Sequence, residues 1–329
     1  MPGSLNMSGS PLVAIPGGAG YAGGRIVEHL AQNGWRVRVT SRSRMTWPGS
    51  ASDHIEVVRL PEDAPEARTE CLRNARAVVM LAGADESRSQ ANPAAAVRAT
   101  SEQCMAWLQA SHEAGVERFV YLSTVHVYGA PRDGVLSEDT EPRPIRPYAT
   151  THLAAELFTQ AAHRAGRVSA VVFRLSNSFG APVWPGIDQW PLLVNDLARQ
   201  AVLSHQLVLK SDGSQARDFI PLSDVCRAVA WALQRAARGD EAELYNLGSG
   251  RSTTILEMTT RVAERCQKVL GFRPPISRGS ERSHLTDRPF SLATERLAGA
   301  GFAPHGDWDA ELDGLLRFCR DHAPALAGH

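Results

Sequence analysis

Lysine is nearly absent from this sequence. Of its 35 basic residues only two, Lys210 and Lys268, are lysines, so a reaction that needs a lysine has two candidates. An excess of charge of either sign is also missing, because 35 acidic residues balance the basic ones. Proteins that bind nucleic acids or anionic membranes usually carry a basic surplus. The balance therefore favours a small-molecule partner, with no nucleic acid and no membrane.

Long apolar runs and paired cysteines are missing as well. No stretch approaches the roughly 20 apolar residues that span a bilayer, and no basic-then-apolar signal opens the chain. The five cysteines are far apart and form no C-x-x-C pair. We therefore expect buried thiols rather than a zinc or redox centre, and no metal site. These features predict a cytoplasmic protein.

Short apolar runs alternate with helical patterns through the first half of the chain. The runs lie at 12–15, 37–39, 55–58, 77–81 and 118–122. Such alternation is typical of βαβ units. We predict an α/β fold, with a Rossmann-type doubly wound parallel sheet and a smaller C-terminal α/β substrate lobe. The expected boundaries are a disordered tail at 1–10, a dinucleotide-binding Rossmann domain at 11–176 and a mainly substrate-binding lobe at 177–329, some segments of which return to the Rossmann domain.

Three glycines, Gly17, Gly20 and Gly23, follow the first predicted strand and open a helix. In such a loop the first glycine permits a tight turn, the second lets the backbone approach a pyrophosphate, and the third lets the helix pack on the strand. The helix N-terminus adds partial positive charge. The cofactor-binding residues that we predict in this part of the chain are Gly17, Gly20, Tyr21, Ala22, Gly23, Arg42, Leu81, Ala82 and Gly83.

The end of the second strand reads Thr40-Ser-Arg-Ser-Arg44. A fold that prefers NAD places a carboxylate there for the ribose 2′-hydroxyl, whereas a guanidinium pairs with a 2′-phosphate. This segment contains no carboxylate, so NADP(H) is favoured and NAD(H) is possible. The alternative is that Arg42 and Arg44 are solvated loop charges.

Several motifs in a consistent order resemble the extended short-chain dehydrogenase/reductase family, which includes nucleotide-sugar epimerases, dehydratases and ketoreductases. They are the glycine loop and the stretches Arg118–Gly129, Pro147-Tyr148, Phe173–Gly180, Arg217–Ile220 with Asp224, Tyr245–Gly250 and Gly301–Pro304. The resemblance covers nearly the whole chain from about residue 11.

The resemblance implies that Thr124 and Tyr148 bracket the reacting carbon, and that Tyr148 and His152 also belong to the cofactor-binding residues. In the family, a lysine one helical turn after the tyrosine binds the nicotinamide ribose and lowers the pKa of the tyrosine. The segment Tyr148-Ala-Thr-Thr-His152 has histidine at that position. Three interpretations of His152 stay open: a ribose-binding residue, part of a damaged or repurposed site, and an ordinary surface histidine.

Dehydratases of the family carry an Asp-Glu pair just after the threonine, where this chain has Val125 and His126. The resemblance therefore disfavours elimination of water. His126 is a candidate acid/base, and the alternative is a histidine that hydrogen-bonds at the end of the strand.

On the substrate side, Asn177 and Arg217 match positions that hold a nucleotide diphosphate in the family, and Arg282 is a candidate second cation. Trp184 and Trp190 could stack on a sugar or a base, or could pack the seam between the two lobes. The predicted helices at 94–115 and 148–165 correspond to those that pair in the dimers of many relatives. Their apolar stripes fit a homodimer or an ordinary core.

These observations predict an NAD(P)-dependent oxidoreductase that reduces a keto group of a nucleotide-activated sugar or a similar carbonyl metabolite. One alternative is a nucleotide-sugar epimerase with tightly bound NAD, which oxidises and re-reduces the same carbon. The other is a dinucleotide-binding protein whose catalysis is weakened by the substitution at His152.

Overall fold

The computed structural model describes residues 9–42, 45–61, 65–129, 134–187, 190–235, 243–281 and 290–327. Residues 1–8 of the predicted tail lie outside the described residues. The strands are β1 (Leu12–Pro16), β2 (Arg36–Ser41), β3 (Ile55–Arg59), β4 (Ala75–Met80), β5 (Arg118–Thr124), β6 (Gly134–Leu136), β7 (Ser169–Leu175), β8 (Asn177–Phe179), β9 (Leu207–Ser211), β10 (Ala216–Pro221), β11 (Glu243–Leu247), β12 (Ser252–Thr254), β13 (Ile276–Glu281) and β14 (Phe290–Leu292).

The helices alternate with these strands through most of the chain. They are α1 (Tyr21–Gln32), α2 (Pro65–Cys71), α3 (Glu86–Ala91), α4 (Pro93–Ala96), α5 (Gln103–Glu113), α6 (Pro147–Arg164), α7 (Leu193–Ser204), α8 (Leu222–Gln234), α9 (Ile255–Val269), α10 (Glu295–Gly299), α11 (Trp308–Asp321) and α12 (Ala323–Leu326). The helix predicted at 94–115 is divided, because a π-helical segment at Val97–Glu102 joins α4 to α5.

The main sheet contains seven strands in the order β11-β7-β5-β4-β1-β2-β3. The pairings of β1 with β2 and β4, of β2 with β3, and of β4 with β5 are parallel. The order reverses between β1 and β4, which is the switch point where doubly wound sheets bind ligands. All of β1 is buried, as expected of a parallel sheet with helices on both faces. The predicted Rossmann-type α/β fold is confirmed.

The chain forms two compact units. The first comprises Met1–Ser123, Arg146–Phe173 and Val229–Leu244. Its apolar core includes Leu72, Val78, Trp107, Phe119 and Ala155, all nearly or fully inaccessible to water. This core fixes the strands and helices that carry the glycine loop and Tyr148.

The second unit comprises Thr124–Ile145, Arg174–Ala228 and Tyr245–His329. It contains three small sheets, with the orders β12-β10-β8, β13-β9 and β14-β6. Its own apolar core includes Phe179, Leu197, Phe219, Met258 and Leu315.

All five cysteines are buried, as the sequence predicts. Burial raises the pKa of Cys71 to about 11 and that of Cys104 to about 12, which makes both thiols poor nucleophiles. In the part of the chain that the structure describes, none of the helices combines the length and the apolar character needed to cross a membrane.

Candidate functional site

The glycine loop connects β1 to α1 and lies against the chain that follows β4. Gly17 has φ +81°, and a Cβ there would lie 2.5 Å from the amide nitrogen of Ala82. The amide of Leu81 also donates to the carbonyl of Pro16 at 2.9 Å. Only glycine fits Gly17 both in backbone conformation and in space. The predicted cofactor segments at 17–23 and 81–83 are therefore brought together.

The structure also explains why the other two loop positions, Gly23 and Gly20, are glycines. A Cβ at Gly23 would lie 2.6 Å from the carbonyl oxygen of Gly17, so this helix residue must be small. Gly20 is the N-cap of α1, and its lack of a side chain leaves the first-turn amides uncapped. Uncapped amides at a helix N-terminus attract a phosphate. Tyr21 is buried and Ala22 is half-buried in the same turn.

Thr100 supports the chain after β4 from the π-helical segment. Its Oγ1 accepts a hydrogen bond from the amide of Ala84 at 3.1 Å. A Cβ at Gly83 would lie 3.2 Å from the same oxygen. The fully buried threonine thus fixes the backbone beside the glycine loop.

These contacts test whether a dinucleotide fits the loop. The backbone at Gly17 has no room for a side chain, Gly20 keeps the helix N-terminus open, and the first turn of α1 contains no acidic side chain. All three features suit a pyrophosphate. The residues of the loop therefore fit the pyrophosphate of a dinucleotide.

Arg42 follows directly after β2, and its side chain is exposed. Its carbonyl oxygen accepts a hydrogen bond from Nε of Arg59 at 3.4 Å. Arg44, the second arginine of the predicted 2′-phosphate contact, lies outside the described residues.

Tyr148 and His152 occupy the start of α6. Pro147 is the first residue of this helix, a position that suits proline because its missing N–H has no partner in a helix. The four-residue spacing places the two rings on one helix face, and their centroids are 4.5 Å apart at an interplanar angle of 58°. Tyr148 is half-buried, whereas His152 is only 8% exposed. The interpretation of His152 as a surface histidine is therefore wrong.

Two side chains of β5 meet the same face of α6. The hydroxyl of Tyr121 lies 2.7 Å from Nδ1 of His152. One turn further along α6, Glu156 is fully buried and accepts a hydrogen bond from the hydroxyl of Ser123 at 2.5 Å. Sequence reasoning missed Tyr121 and Glu156. The spacing of four residues from Tyr148 to His152 and from His152 to Glu156 was the available signal, because it marks a polar stripe on one face of a buried helix.

Thr124 ends β5 and begins a 3₁₀ turn at Val125–Tyr128. Its Oγ1 accepts a hydrogen bond from the amide of His126 at 3.2 Å. Thr124 is 4% exposed, whereas the side chain of His126 is exposed. Thr124 therefore has both a capping contact and a hydroxyl proton to donate.

Asn177 and Arg217 lie on the neighbouring strands β8 and β10 of the second unit. These strands pair in parallel, with Asn177 opposite Phe219. The Asn177 amide donates to the carbonyl of Asp218 at 2.8 Å, and Arg217 donates to Oε1 of Gln215 at 3.1 Å. Both residues are half-buried, and burial lowers the pKa of Arg217. The structure thus brings these two predicted substrate contacts together.

Asp218, between Arg217 and Phe219, was not singled out from the sequence. It is 2% exposed and accepts hydrogen bonds from the amides of Ser249 at 2.9 Å and Arg251 at 3.1 Å. Burial raises its pKa, against the effect of these hydrogen bonds. The carboxylate ties the loop after β11 to β10.

The other residues considered for substrate binding lie in different environments. Trp184 is half-buried. Trp190 is 2% exposed and packs in the core of the second unit. Arg282 lies outside the described residues.

The apolar stripes of the predicted pairing helices are partly exposed. Leu157 is 54% and Phe158 is 41% exposed on α6, and Val97 and Met105 are 49% and 39% exposed in the segments before and within α5. Leu108, in contrast, is 5% exposed and belongs to the core.

The chain resembles proteins of known activity along most of its length. UDP-glucose 4-epimerase of Azospirillum brasilense is 27% identical over 326 residues, which cover 94% of this chain and 90% of the relative. dTDP-glucose 4,6-dehydratase of Streptomyces niveus is 27% identical over 335 residues, which cover 92% and 90%. Among solved structures, MoeE5 in complex with UDP-glucose and NAD matches with a TM-score of 0.78 at 27% identity, over 94% of this chain and 99% of that chain.

The sequence also matches the model of a protein family, in agreement with the fold and with the glycine loop. The model is that of the NAD dependent epimerase/dehydratase family, and it matches residues 13–248, which include the loop, Thr124, Tyr148 and the strands β8 and β10. The chain therefore belongs to the NAD-dependent epimerase/dehydratase family, whose members act on nucleotide sugars.

Proposed function

We propose that this protein is a nucleotide-sugar epimerase that uses NAD and returns it unchanged after each turnover. The observation that carries the proposal is the pair formed by Tyr148 and His152, with ring centroids 4.5 Å apart at the start of α6. In the proposed reaction Tyr148 is the acid/base of one sugar carbon. His152 takes the ribose-binding role that a lysine has in the family.

Each residue has one task in this scheme. The first unit holds the dinucleotide through Gly17, Gly20 and Ala82, and the second unit holds the sugar diphosphate through Asn177 and Arg217. A planar guanidinium suits a diphosphate because it can donate to two oxygens at once. These assignments follow the expected division into a dinucleotide-binding and a substrate-binding part.

In the proposed reaction, side chains of the protein transfer the proton. As a phenolate, Tyr148 accepts the hydroxyl proton from the sugar, and as the resulting phenol it later gives the proton back, while Thr124 donates a hydrogen bond to the reacting oxygen. A dinucleotide held by the loop at Gly17 and Gly20 would supply reversible hydride transfer at the same carbon. Protons and electrons balance within one cycle, so no external reductant is consumed.

Epimerisation is preferred to dehydration because of the residues that follow Thr124. Elimination of water needs a further acid and base, and this chain has Val125 and an exposed His126 after the threonine. It is preferred to net reduction because the relatives named above include an epimerase, and MoeE5 was solved with NAD. The ketoreductase and the preference for NADP(H) predicted above thus become the second candidate, favoured by Arg42 alone.

Incubation with UDP-glucose or UDP-galactose and a catalytic amount of NAD tests the proposal. We expect NMR spectra to show interconversion of the two sugars with no net change in the absorbance of reduced nicotinamide. The Tyr148→Phe variant should bind the nucleotide sugar and lose turnover. Stoichiometric consumption of NADPH with a keto-sugar would instead identify a reductase. Release of water from the sugar would identify a dehydratase.

We further propose that the protein forms a homodimer through α5 and α6. Four large apolar side chains are exposed on α5, on α6 and on the π-helical segment before α5: Val97, Met105, Leu157 and Phe158. Contiguous exposed apolar side chains usually mark an interaction site. A second copy of the chain offers the same apolar surface and can cover it symmetrically.

A further inference from the structure

Besides Tyr148, a second aromatic side chain contacts His152, and it comes from β5. Tyr121 is 1% exposed, and its hydroxyl lies 2.7 Å from Nδ1 of His152. The imidazole is thus held between the hydroxyl of Tyr121 and the ring of Tyr148, whose centroid is 4.5 Å away. Two contacts from two elements fix both the position and the tilt of the imidazole.

The direction of the hydrogen bond follows from the partners available to Tyr121. The phenol keeps its proton at neutral pH, because burial and the nearby Cys104, Glu156 and Tyr148 raise its pKa well above 10.0. Across the described parts of the chain, Nδ1 is the sole hydrogen-bond partner that this hydroxyl has. If Nδ1 carried the proton, the buried O–H of Tyr121 would have no acceptor, which is costly. The hydroxyl therefore donates and Nδ1 accepts.

A neutral imidazole that accepts at Nδ1 must carry its proton at Nε2. We propose that Tyr121 is a positioning residue that fixes His152 as the Nε2–H tautomer, so that the imidazole donates to a ribose hydroxyl of the dinucleotide where the family uses a lysine. This inference rests on the proposed function. It explains how a histidine can keep the donor role of the lysine without a permanent charge.

Nitrogen NMR of the full chain, labelled with 15N-histidine, tests the tautomer directly. Protonated and unprotonated imidazole nitrogens resonate far apart, and a hydrogen bond to the unprotonated nitrogen shifts its signal. The His152→Gln variant identifies the signals of His152 among the eleven histidines. We expect a protonated Nε2 and a hydrogen-bonded, unprotonated Nδ1. A proton on Nδ1 in the wild-type protein would overturn the proposal, and this result needs no variant of Tyr121.

The Tyr121→Phe variant removes only the hydroxyl. We expect the Nδ1 signal of His152 to move to that of a nitrogen without a hydrogen bond. Tyr128→Phe is the matched control, because Tyr128 is equally buried and its hydroxyl donates to Oδ1 of Asn246 at 2.6 Å. This control removes a buried hydroxyl and its hydrogen bonding without touching His152. An Nδ1 signal that is unchanged in Tyr121→Phe would refute the positioning role.

Titration with NAD separates this inference from the proposed function. Without the Tyr121 hydroxyl, the imidazole of His152 is no longer oriented for its hydrogen bond to the ribose. We therefore expect Tyr121→Phe to bind NAD about three- to tenfold more weakly than wild type, and Tyr128→Phe to bind it as wild type does. If NAD binds wild type and Tyr121→Phe equally, the positioning role is wrong although the proposed function stands. If wild-type protein with the Nε2–H tautomer binds no NAD, the proposed function fails.

Discussion

Gly17 and Ala82 approach so closely that a Cβ on the glycine would lie 2.5 Å from the amide nitrogen of the alanine. This contact joins the loop after β1 to the chain after β4 at the point where the strand order reverses. A side chain at Gly17 must push these two segments apart. The dinucleotide loop thus depends on the absence of one carbon atom.

We therefore expect Gly17→Ala to abolish dinucleotide binding and to lower the free energy of unfolding. Gly34→Ala is the control, since Gly34 also has positive φ, +86°, yet has nothing within 4 Å of the added carbon. The control should lose only the roughly 1–2 kcal/mol that a left-handed backbone costs a residue with a Cβ. Calorimetric titration with NAD and thermal unfolding measure both effects. Equal losses in the two variants would mean that the contact with Ala82 is unimportant.

Restoring the lysine of the family at position 152 should change the pH dependence of turnover. A lysine ammonium stays charged up to a pKa of about 10, whereas an imidazole titrates near 6.5. A fixed charge beside Tyr148 favours the phenolate, so we expect the acidic limb of the kcat profile of His152→Lys to move to lower pH. His152→Gln is the control, because it keeps an N–H donor but cannot become charged. A profile of His152→Lys that coincides with that of wild type would contradict a role for charge at this position.

The parts of this fold that the sequence made predictable are local ones. Gly17, Gly20 and Gly23 follow an apolar run and open a helix, so their position and spacing indicate a dinucleotide loop. Tyr121 had no such signal. Its role depends on how β5 lies against α6, which is set by packing between residues far apart in the chain.

Two other features of the structure could not be predicted from the sequence, because they also depend on packing between distant residues. β6 and β14 pair in parallel, with Gly134 opposite Phe290, and neither three-residue strand is long enough to show an alternating pattern. Leu108 belongs to the same apolar stripe as Met105 but is buried, because α5 packs one edge of that stripe against the core. Periodicity identifies the apolar side of a helix without showing which part of it stays exposed.

The choice between NAD and NADP can be tested at Arg42. We expect Arg42→Asp to raise the dissociation constant of NADP(H) relative to that of NAD(H) by about 10- to 100-fold, because it removes a donor to the 2′-phosphate and adds a repelling carboxylate. Arg36→Asp is the control, since Arg36 is exposed at the opposite end of the same strand. Nicotinamide fluorescence titrations give both constants. A ratio unaffected by Arg42→Asp would assign this arginine to a solvated loop.

The proposed dimer predicts that charge on its apolar surface separates the copies. We expect the double variant Leu157→Asp/Phe158→Asp to elute as a monomer in size-exclusion chromatography with light scattering, while the wild type elutes as a dimer. Val135→Asp is the control, because Val135 is 65% exposed on β6 in the second unit. A wild-type monomer, or a double variant that still dimerises, would show that another partner or surface is involved.

A buried ion pair predicts the acid sensitivity of the first unit. Glu243 is 9% exposed in its side chain and pairs with Arg118 at 2.7 Å and with Arg235 at 2.8 Å. Burial raises the pKa of Glu243, but the hydrogen bonds and charges of these arginines outweigh it, so that the pKa lies below 4.5. A carboxyl group with a lowered pKa stabilises the folded state above its unfolded pKa, and this contribution is lost as pH falls through the folded value.

We expect Glu243→Ala to lower the free energy of unfolding at neutral pH by about 3–5 kcal/mol, because it leaves Arg118 buried without its partner. The difference from wild type should shrink as pH falls below 4.5. Glu117→Ala is the matched control, since Glu117 pairs with Arg76 at 3.1 Å with both side chains more than half exposed, and such pairs contribute less than about 1 kcal/mol. Urea unfolding between neutral and acidic pH measures all three proteins. A difference that stays constant with pH would mean that Glu243 acts through packing and not through its charge.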